Sequence, residues 1–244
     1  MKPLERGGLR ARLAGAGDRA AVLALRAVAF PRADGRPPGW EPLDESCLQC
    51  VVEAPDGRLL AAFRALVLPS GRALEASYAA GFYDLSPLAA EPSPLVEMGR
   101  LCLTPDPRGW EALRLVWGAM TRIVEGAGAA LMTGCPSFAG ADWTRHRAAL
   151  ALLAARHLGP EALRPGGRAA EQVDYPALTG PMPDLRTAQA GLPPLLRSYL
   201  AMGGWVSDHA VADRELDTLH VFTCVAVAGV PAARAASLRA IEGS

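Results

Sequence analysis

Glu97 and Arg100 stand inside the run Val96-Glu97-Met98-Gly99-Arg100-Leu101-Cys102-Leu103, where the other residues are apolar or glycine. An ion removed from water costs several kcal/mol unless it is paired or used. Side chains three apart on a regular strand point to opposite faces. Gly99 between them suits a bulge, which would re-aim both toward one cleft. Two readings of the pair stand at this point. One is a buried ion pair stapling a sheet. The other is catalytic: a carboxylate in a partly apolar site has a raised pKa and can take a proton from an attacking amine. Amide formation from a thioester also needs a donor for the oxyanion, and unpaired backbone N–H groups at a bulge can supply it.

Two further segments carry candidate chemistry. Asp106-Pro107-Arg108-Gly109 leads into a helical pattern, and a glycine turn at a helix N-terminus offers N–H groups to a phosphate. Gly-Lys-Ser/Thr is absent there, so it is no Walker loop. Thr133-Gly134-Cys135-Pro136-Ser137-Phe138 is turn material at a strand end, and the Ser137 hydroxyl can hydrogen-bond a ligand amide or cap locally. The four histidines, His146, His157, His209 and His220, lie beside no Gly-x-Ser-x-Gly elbow, which disfavours a covalent acyl-enzyme. Cys47-Leu48-Gln49-Cys50 lacks a second pair at zinc-ribbon spacing and sits in a strand pattern that splits the two thiols between faces. Core packing is expected there, with no metal site. Five scattered cysteines imply no disulfide framework and fit a reducing compartment.

The elements that must position these residues follow from periodicity. A strand is expected over Gly7–Leu13, then a helix from an N-cap at Asp18 to Phe30. Cys47–Glu53 and Leu59–Leu68 read as a hairpin about Pro55-Asp56-Gly57-Arg58. Leu95–Leu103 is the key strand, and Trp110, Leu113, Trp117, Met120 and Val124 mark the following helix, stopped at Gly126-Ala127-Gly128. Ala129–Cys135 is a buried strand, Trp143–Leu158 a helix, and Gly159–Pro183 a long irregular insertion. A helical stripe from Leu192 to Leu200 precedes strands over Trp205–Val211 and Thr218–Ala228, with a terminal helix from Pro231. Hairpins combined with one strand-helix-strand crossover predict a single α/β (α+β) domain over residues 1–244, with a mixed central sheet flanked by helices.

Composition narrows the function classes. Twenty-five basic and 25 acidic side chains cancel, so bulk charge gives no argument for nucleic acid. Lys2 is the sole lysine. The other basic residues are arginines, whose planar fork suits carboxylates and phosphates. No apolar run reaches transmembrane length, and Met1–Arg12 lacks a signal-peptide core, which predicts a cytoplasmic protein.

Gly81–Leu88, Glu97–Leu103, Gly134–Phe138 and Leu192–Leu200 together resemble the bacterial ornithine-lipid N-acyltransferases, a GNAT-like family, across roughly residues 9 to 228. The resemblance implies transfer of a 3-hydroxyacyl chain from acyl carrier protein to the α-amine of ornithine, giving lyso-ornithine lipid. The phosphopantetheine of the carrier would be the donor arm, with no permanently bound cofactor. The implied partners are the carrier, the amino-acid substrate and, peripherally, the inner membrane. The resemblance makes Glu97 the strand acid and Arg100 a substrate-facing or structural arginine. Arg108, Gly109 and Ser137 would hold the donor arm, and Arg64, Cys135 and Phe138 the substrate. The family's Gly-Thr-Tyr-Arg segment is here Ala61-Ala62-Phe63-Arg64, keeping the arginine, and the region where a His-Leu pair commonly precedes the second strand's valines reads Cys47-Leu48-Gln49-Cys50-Val51. A related branch acylates glutamine, which makes that the alternative acceptor. The acyl-homoserine lactone synthases are cousins, but they typically carry N-terminal tryptophans, and the first thirty residues here have none.

Overall fold

The computed structural model describes residues 1–32, 34–175 and 184–241. The chain begins as a hairpin, β1 (Leu4–Arg6) and β2 (Leu9–Leu13), instead of one strand over Gly7–Leu13. Gly7 and Gly8 form its turn with φ of 57° and 75°, a left-handed pair that glycine enters without a Cβ penalty. Helix α1 (Arg19–Ala29) starts after Asp18. The Asp18 carboxylate accepts from Arg12 at 2.7 and 2.9 Å and from Gly15 N–H at 2.7 Å, so it braces β2 instead of capping the helix. Strands β3 (Leu48–Glu53) and β4 (Leu59–Leu68) form the expected hairpin.

Next come β5 (Tyr83–Asp84), β6 (Leu95–Leu103), α2 (Gly109–Gly126), β7 (Leu131–Gly134) and β8 (Ser137–Ala139). Helix α3 (Arg147–Arg156), β9 (Gly166–Gly167), β10 (Gln172–Asp174), α4 (Leu185–Ala190) and α5 (Pro194–Ala201) follow, then β11 (Trp205–Asp213), β12 (Thr218–Ala226) and α6 (Ala232–Arg239). The segment expected to be wholly irregular therefore holds β9 and β10, and its end, residues 176–183, lies outside the described residues.

The main sheet runs β1-β2-β3-β4-β6-β7-β12-β11-β10, with β8 also on β12. Its β6–β7 pair is parallel and the other neighbours are antiparallel. Helix α2 makes the crossover that a parallel pair requires. It packs Val116, Trp117 and Met120 against Phe63, Val96 and Met98 on one face. On the other face Val22 and Leu25 of α1 meet Val51, Ala62 and Cys102. Cys50 joins the α2 side and Cys47 the opposite cluster, and all five thiols are free. Among the described residues no helix is long and apolar enough to cross a membrane, and no group of three or more His, Cys, Asp or Glu could hold a metal ion.

Candidate active site

The site begins where two strands part. Parallel pairing joins Leu95–Met98 to Leu131–Gly134 and stops at Met98 and Gly134. Beyond that point β6 has no strand on this edge among the described residues, and β8 turns away to pair with β12. A cleft of about 320 Å³ occupies the opening. Met98, Leu101, Leu103, Pro193, Leu195 and Tyr199 form its apolar wall, while Arg64, Arg100, Cys135, Ser137 and His220 bring the polar groups. The backbone that β6 leaves unpaired there is available to a ligand carbonyl.

The bulge expected near Gly99 is present. Arg64 pairs with Gly99 and Ala62 with Cys102, so two residues of β6, Arg100 and Leu101, stand opposite one of β4, Phe63. Arg100 is the extra residue, with φ of 51°. In consequence Met98 and Leu101, three apart, both pack on the α2 side, and Arg100 swings onto the other. Its guanidinium lies 5.4 Å from the Tyr78 ring centre and 5.5 Å from that of Phe30.

Behind Arg100 lies a network that the sequence did not reveal. Arg26 donates two hydrogen bonds to Asp44 at 2.7 and 2.8 Å. Arg64 donates to Asp44 at 2.8 Å and to Glu41 at 2.7 Å, and Arg100 donates to the other Glu41 oxygen. Burial would push the Asp44 carboxyl up, but the bonds from Arg26 and Arg64 outweigh it and hold it below the usual carboxylate range. Glu41 is likewise lowered, with burial opposed by Arg100 and Arg64. Three arginines against two carboxylates leave the cleft end positive, which suits an anionic ligand group.

Glu97 and Arg100 do not share a cleft, which corrects the expected convergence. The two are not ion-paired either: Glu97 accepts from the backbone N–H groups of Tyr78 at 2.8 Å and Ala79 at 2.9 Å. It is 4 % exposed and stands outside the cleft lining. Burial pushes its carboxyl up, and those two N–H bonds pull against that. The bulge turned Arg100 alone, and Glu97 kept the facing that a regular strand gives it, toward the loop at Tyr78. Arg64, Cys135 and Ser137 line the cleft with Arg100. Burial pushes the Cys135 thiol well up, so it is a neutral wall. Phe138 instead packs in the cluster of Leu150 and Leu196, its ring 4.9 Å from that of His146. Arg108 precedes α2 and donates to the Gly7 carbonyl at 2.6 Å and to Glu111 at 3.1 Å. Arg108 and Gly109 stand outside the cleft lining.

Sequence reasoning missed Glu41, Asp44, Tyr78, Tyr199 and His220. Tyr199, on α5, donates to the Thr133 carbonyl at 3.3 Å and meets Trp117 edge to face at 5.7 Å. His220 shares a strand face with Phe222 and Cys224, so a histidine on an apolar alternation was the available signal. The loop residues Glu41 and Asp44 gave none, because their arginine partners are 18 to 59 positions away.

A family model described as an acetyltransferase (GNAT) domain matches residues 32–118, which include the bulged strand and most of the arginine network. The class of protein is therefore a GNAT-fold protein with an acyltransferase-type cleft. The chain is 37 % identical over 166 residues to an L-ornithine N(alpha)-acyltransferase of Rhodobacter capsulatus, covering 67 % of this chain and 62 % of that one. It is 31 % identical over 157 residues to one of Brucella abortus, covering 59 % and 52 %. The chain belongs to the bacterial ornithine-lipid N-acyltransferase family. Matches to its curated relatives span 43 to 62 % of their length. Among solved structures, it is similar to FeeM, an N-acyl amino acid synthase from uncultured soil microbes, with a TM-score of 0.49 at 10 % identity, covering 93 % of each chain. A GNAT-like decarboxylase in complex with isobutyryl-CoA gives 0.48 at 21 % identity, covering 89 % of this chain and 99 % of that one.

Proposed function

We propose that this protein is an N-acyltransferase that moves a 3-hydroxyacyl chain from acyl carrier protein to the α-amine of ornithine, giving a lyso-ornithine lipid. The observation that carries the reading is a cleft with an apolar wall at the parting of β6 and β7, lined at its polar end by Arg100, with Glu41 paired behind that arginine. An amino acid with a second ammonium offers one anionic and one cationic group. Arg100 suits the carboxylate, and Glu41, 35 % exposed at its side chain, suits the distal ammonium. The apolar wall suits the donor arm and the start of the acyl chain, and Ser137 in the lining is the candidate partner for an amide of phosphopantetheine. Arg108 and Gly109, at the start of α2, are the candidates for its phosphate.

In the reaction the amine nitrogen bonds the thioester carbonyl carbon and the C–S bond breaks. The proton that the nitrogen sheds ends on the thiol sulfur. The unpaired edge of β6 would donate to the carbonyl oxygen as charge develops. On this reading the reaction belongs to the cytoplasm and its product to the inner membrane. The test is incubation of the purified protein with 3-hydroxyacyl carrier protein and ornithine, read by mass spectrometry, with lipids of expressing cells as the second readout. An N-acylated ornithine is expected. A product formed with glutamine and not ornithine would move the acceptor, and no N-acyl product with either would overturn the reading.

A further inference from the structure

Among the described residues, six titratable side chains line the cleft: Arg64, Tyr78, Arg100, Cys135, Tyr199 and His220. An amine that attacks a thioester must give up a proton to one of them or to water. The two arginines are donors only. Burial pushes the Tyr78 and Tyr199 phenols and the Cys135 thiol upward, so all three stay protonated. Glu97 and Glu41 are both outside the lining: the oxygens of Glu97 accept from backbone N–H groups, and those of Glu41 accept from Arg64 and Arg100. His220 remains.

The surroundings of His220 fix which of its nitrogens is protonated. The Tyr83 hydroxyl stands 3.1 Å from His220 Nδ1 and 3.1 Å from the His220 carbonyl oxygen. That hydroxyl has one proton. The carbonyl can only accept, so the proton lies toward it, and Nδ1 must then carry the hydrogen that Tyr83 Oη receives. The opposite tautomer would leave two oxygens in contact with no proton between them. Nε2 is thereby left with a free lone pair. It is buried and has no hydrogen-bond partner among the described residues, and a buried nitrogen in that state costs free energy unless a ligand completes it. Phe82 meets the ring edge-on at 4.8 Å, and Tyr78, the ring under Arg100, lies 6.2 Å away.

We infer that His220 Nε2 is the group that takes the proton from the acceptor amine, with Tyr83 as the positioning residue that sets its tautomer. This rests on the N-acyltransferase reading above. As the C–N bond forms the nitrogen becomes cationic and sheds one proton to Nε2. The C–S bond then breaks, and the imidazolium returns that proton to the departing thiolate, so His220 ends neutral. Burial holds the imidazole's pKa down to about 4, which keeps the ring unprotonated at neutral pH. A weak base suffices, because the nitrogen of the tetrahedral adduct is far more acidic than the free amine.

The test combines kinetics of His220→Gln with nitrogen NMR of the wild-type imidazoles, the His220 signals being assigned by their loss in that variant. Glutamine keeps a polar atom near Nε2 but offers no basic nitrogen. His220→Gln should lower kcat about 10²–10⁴-fold with the amino-acid KM little changed. The wild-type spectrum should show a protonated Nδ1 and a bare Nε2, and Tyr83→Phe should mix the tautomers. Wild-type-like turnover in a folded His220→Gln, or a protonated Nε2 in the wild type, overturns the assignment. Failure of the wild type itself to N-acylate any amino acid offered would instead bring down the functional reading beneath it.

Discussion

Gly134 and Tyr199 meet so closely that a Cβ on residue 134 would stand 2.7 Å from the Tyr199 hydroxyl and 3.0 Å from the Met98 carbonyl. The glycine thus sits at the last rung joining β6 to β7, with the phenol resting on the vertex of the cleft. Gly134→Ala should cost about 1–3 kcal/mol through overpacking and abolish most turnover by wedging the strands apart. Thermal melting and initial rates check both. Tyr199→Phe on that background should recover part of the stability, because the hydroxyl is the nearest atom. Full additivity in that double-mutant cycle would mean that the two residues do not press on one another.

Asp44 carries a second prediction. Its carboxylate serves Arg26, Arg64 and the Glu41 backbone N–H at once, with a fully buried side chain. Asp44→Asn removes the charge between two buried guanidinium groups, a loss of about 3–5 kcal/mol by the cost of breaking a buried pair. The folded pKa lies below the unfolded value of about 3.9, so the stabilisation is present above that pH and is lost as pH falls toward the folded value. Urea unfolding between pH 7 and pH 3 should therefore show a wild-type stability that falls at the acid end and a variant curve that is flatter there.

The sequence made the scaffold of this site legible and left the network of the site hidden. Periodicity located β6 and α2 because both have one apolar face, and Gly99 between two charges announced the bulge. What Glu97 does was not legible. Its partners are backbone N–H groups of a loop at Tyr78, and backbone donors leave no mark on a sequence. Gly7-Gly8 was passed over inside a strand although two adjacent glycines are a hairpin turn by their φ freedom. Glu41 and Asp44 sit in a proline-rich loop with no periodicity, and only the folded chain brings them to Arg26, Arg64 and Arg100.

Arg100 gives a third prediction. It projects from a left-handed bulge position and holds Glu41. Arg100→Lys keeps the charge but loses the fork that binds a carboxylate with two bonds. The amino-acid KM should rise about 10-fold or more, equivalent to ~1.4 kcal/mol, while the acyl-donor KM stays near wild type. Equal rises in both constants would place Arg100 on the donor side of the cleft.

For Glu97 the expected effect is structural. Glu97→Gln replaces one acceptor oxygen with an NH₂ group, so the N–H of Tyr78 or Ala79 loses its partner. A buried unsatisfied donor costs about 1–3 kcal/mol, which a lowered melting temperature would report. Activity should fall with it, because Tyr78 forms the surface under Arg100 and beside His220. A variant with unchanged melting and abolished turnover would restore Glu97 as a direct participant in the chemistry.

The last prediction concerns the acyl carrier protein. Such a carrier is acidic, and its prosthetic arm bears a phosphodiester, so if it is the donor proposed above, a chain with no net charge would dock it with locally gathered arginines. Arg108 and Arg114 follow β6 at the start of α2, and Arg122 lies eight residues beyond Arg114, close to the same helix face. Arg122 already donates to the Lys2 carbonyl at 2.9 Å, and Arg108 to that of Gly7, so both pin the first hairpin region as well. Arg114 is exposed on α2 and is the cleaner probe. If this face steers encounter, raising salt from 50 to 300 mM, a range over which the screening length shrinks to roughly 6 Å, should raise the KM for the carrier and leave that for the amino acid nearly fixed. Arg114→Glu should reproduce the change at low salt and blunt further response to salt. A carrier KM indifferent to both would put the docking surface on another face of the molecule.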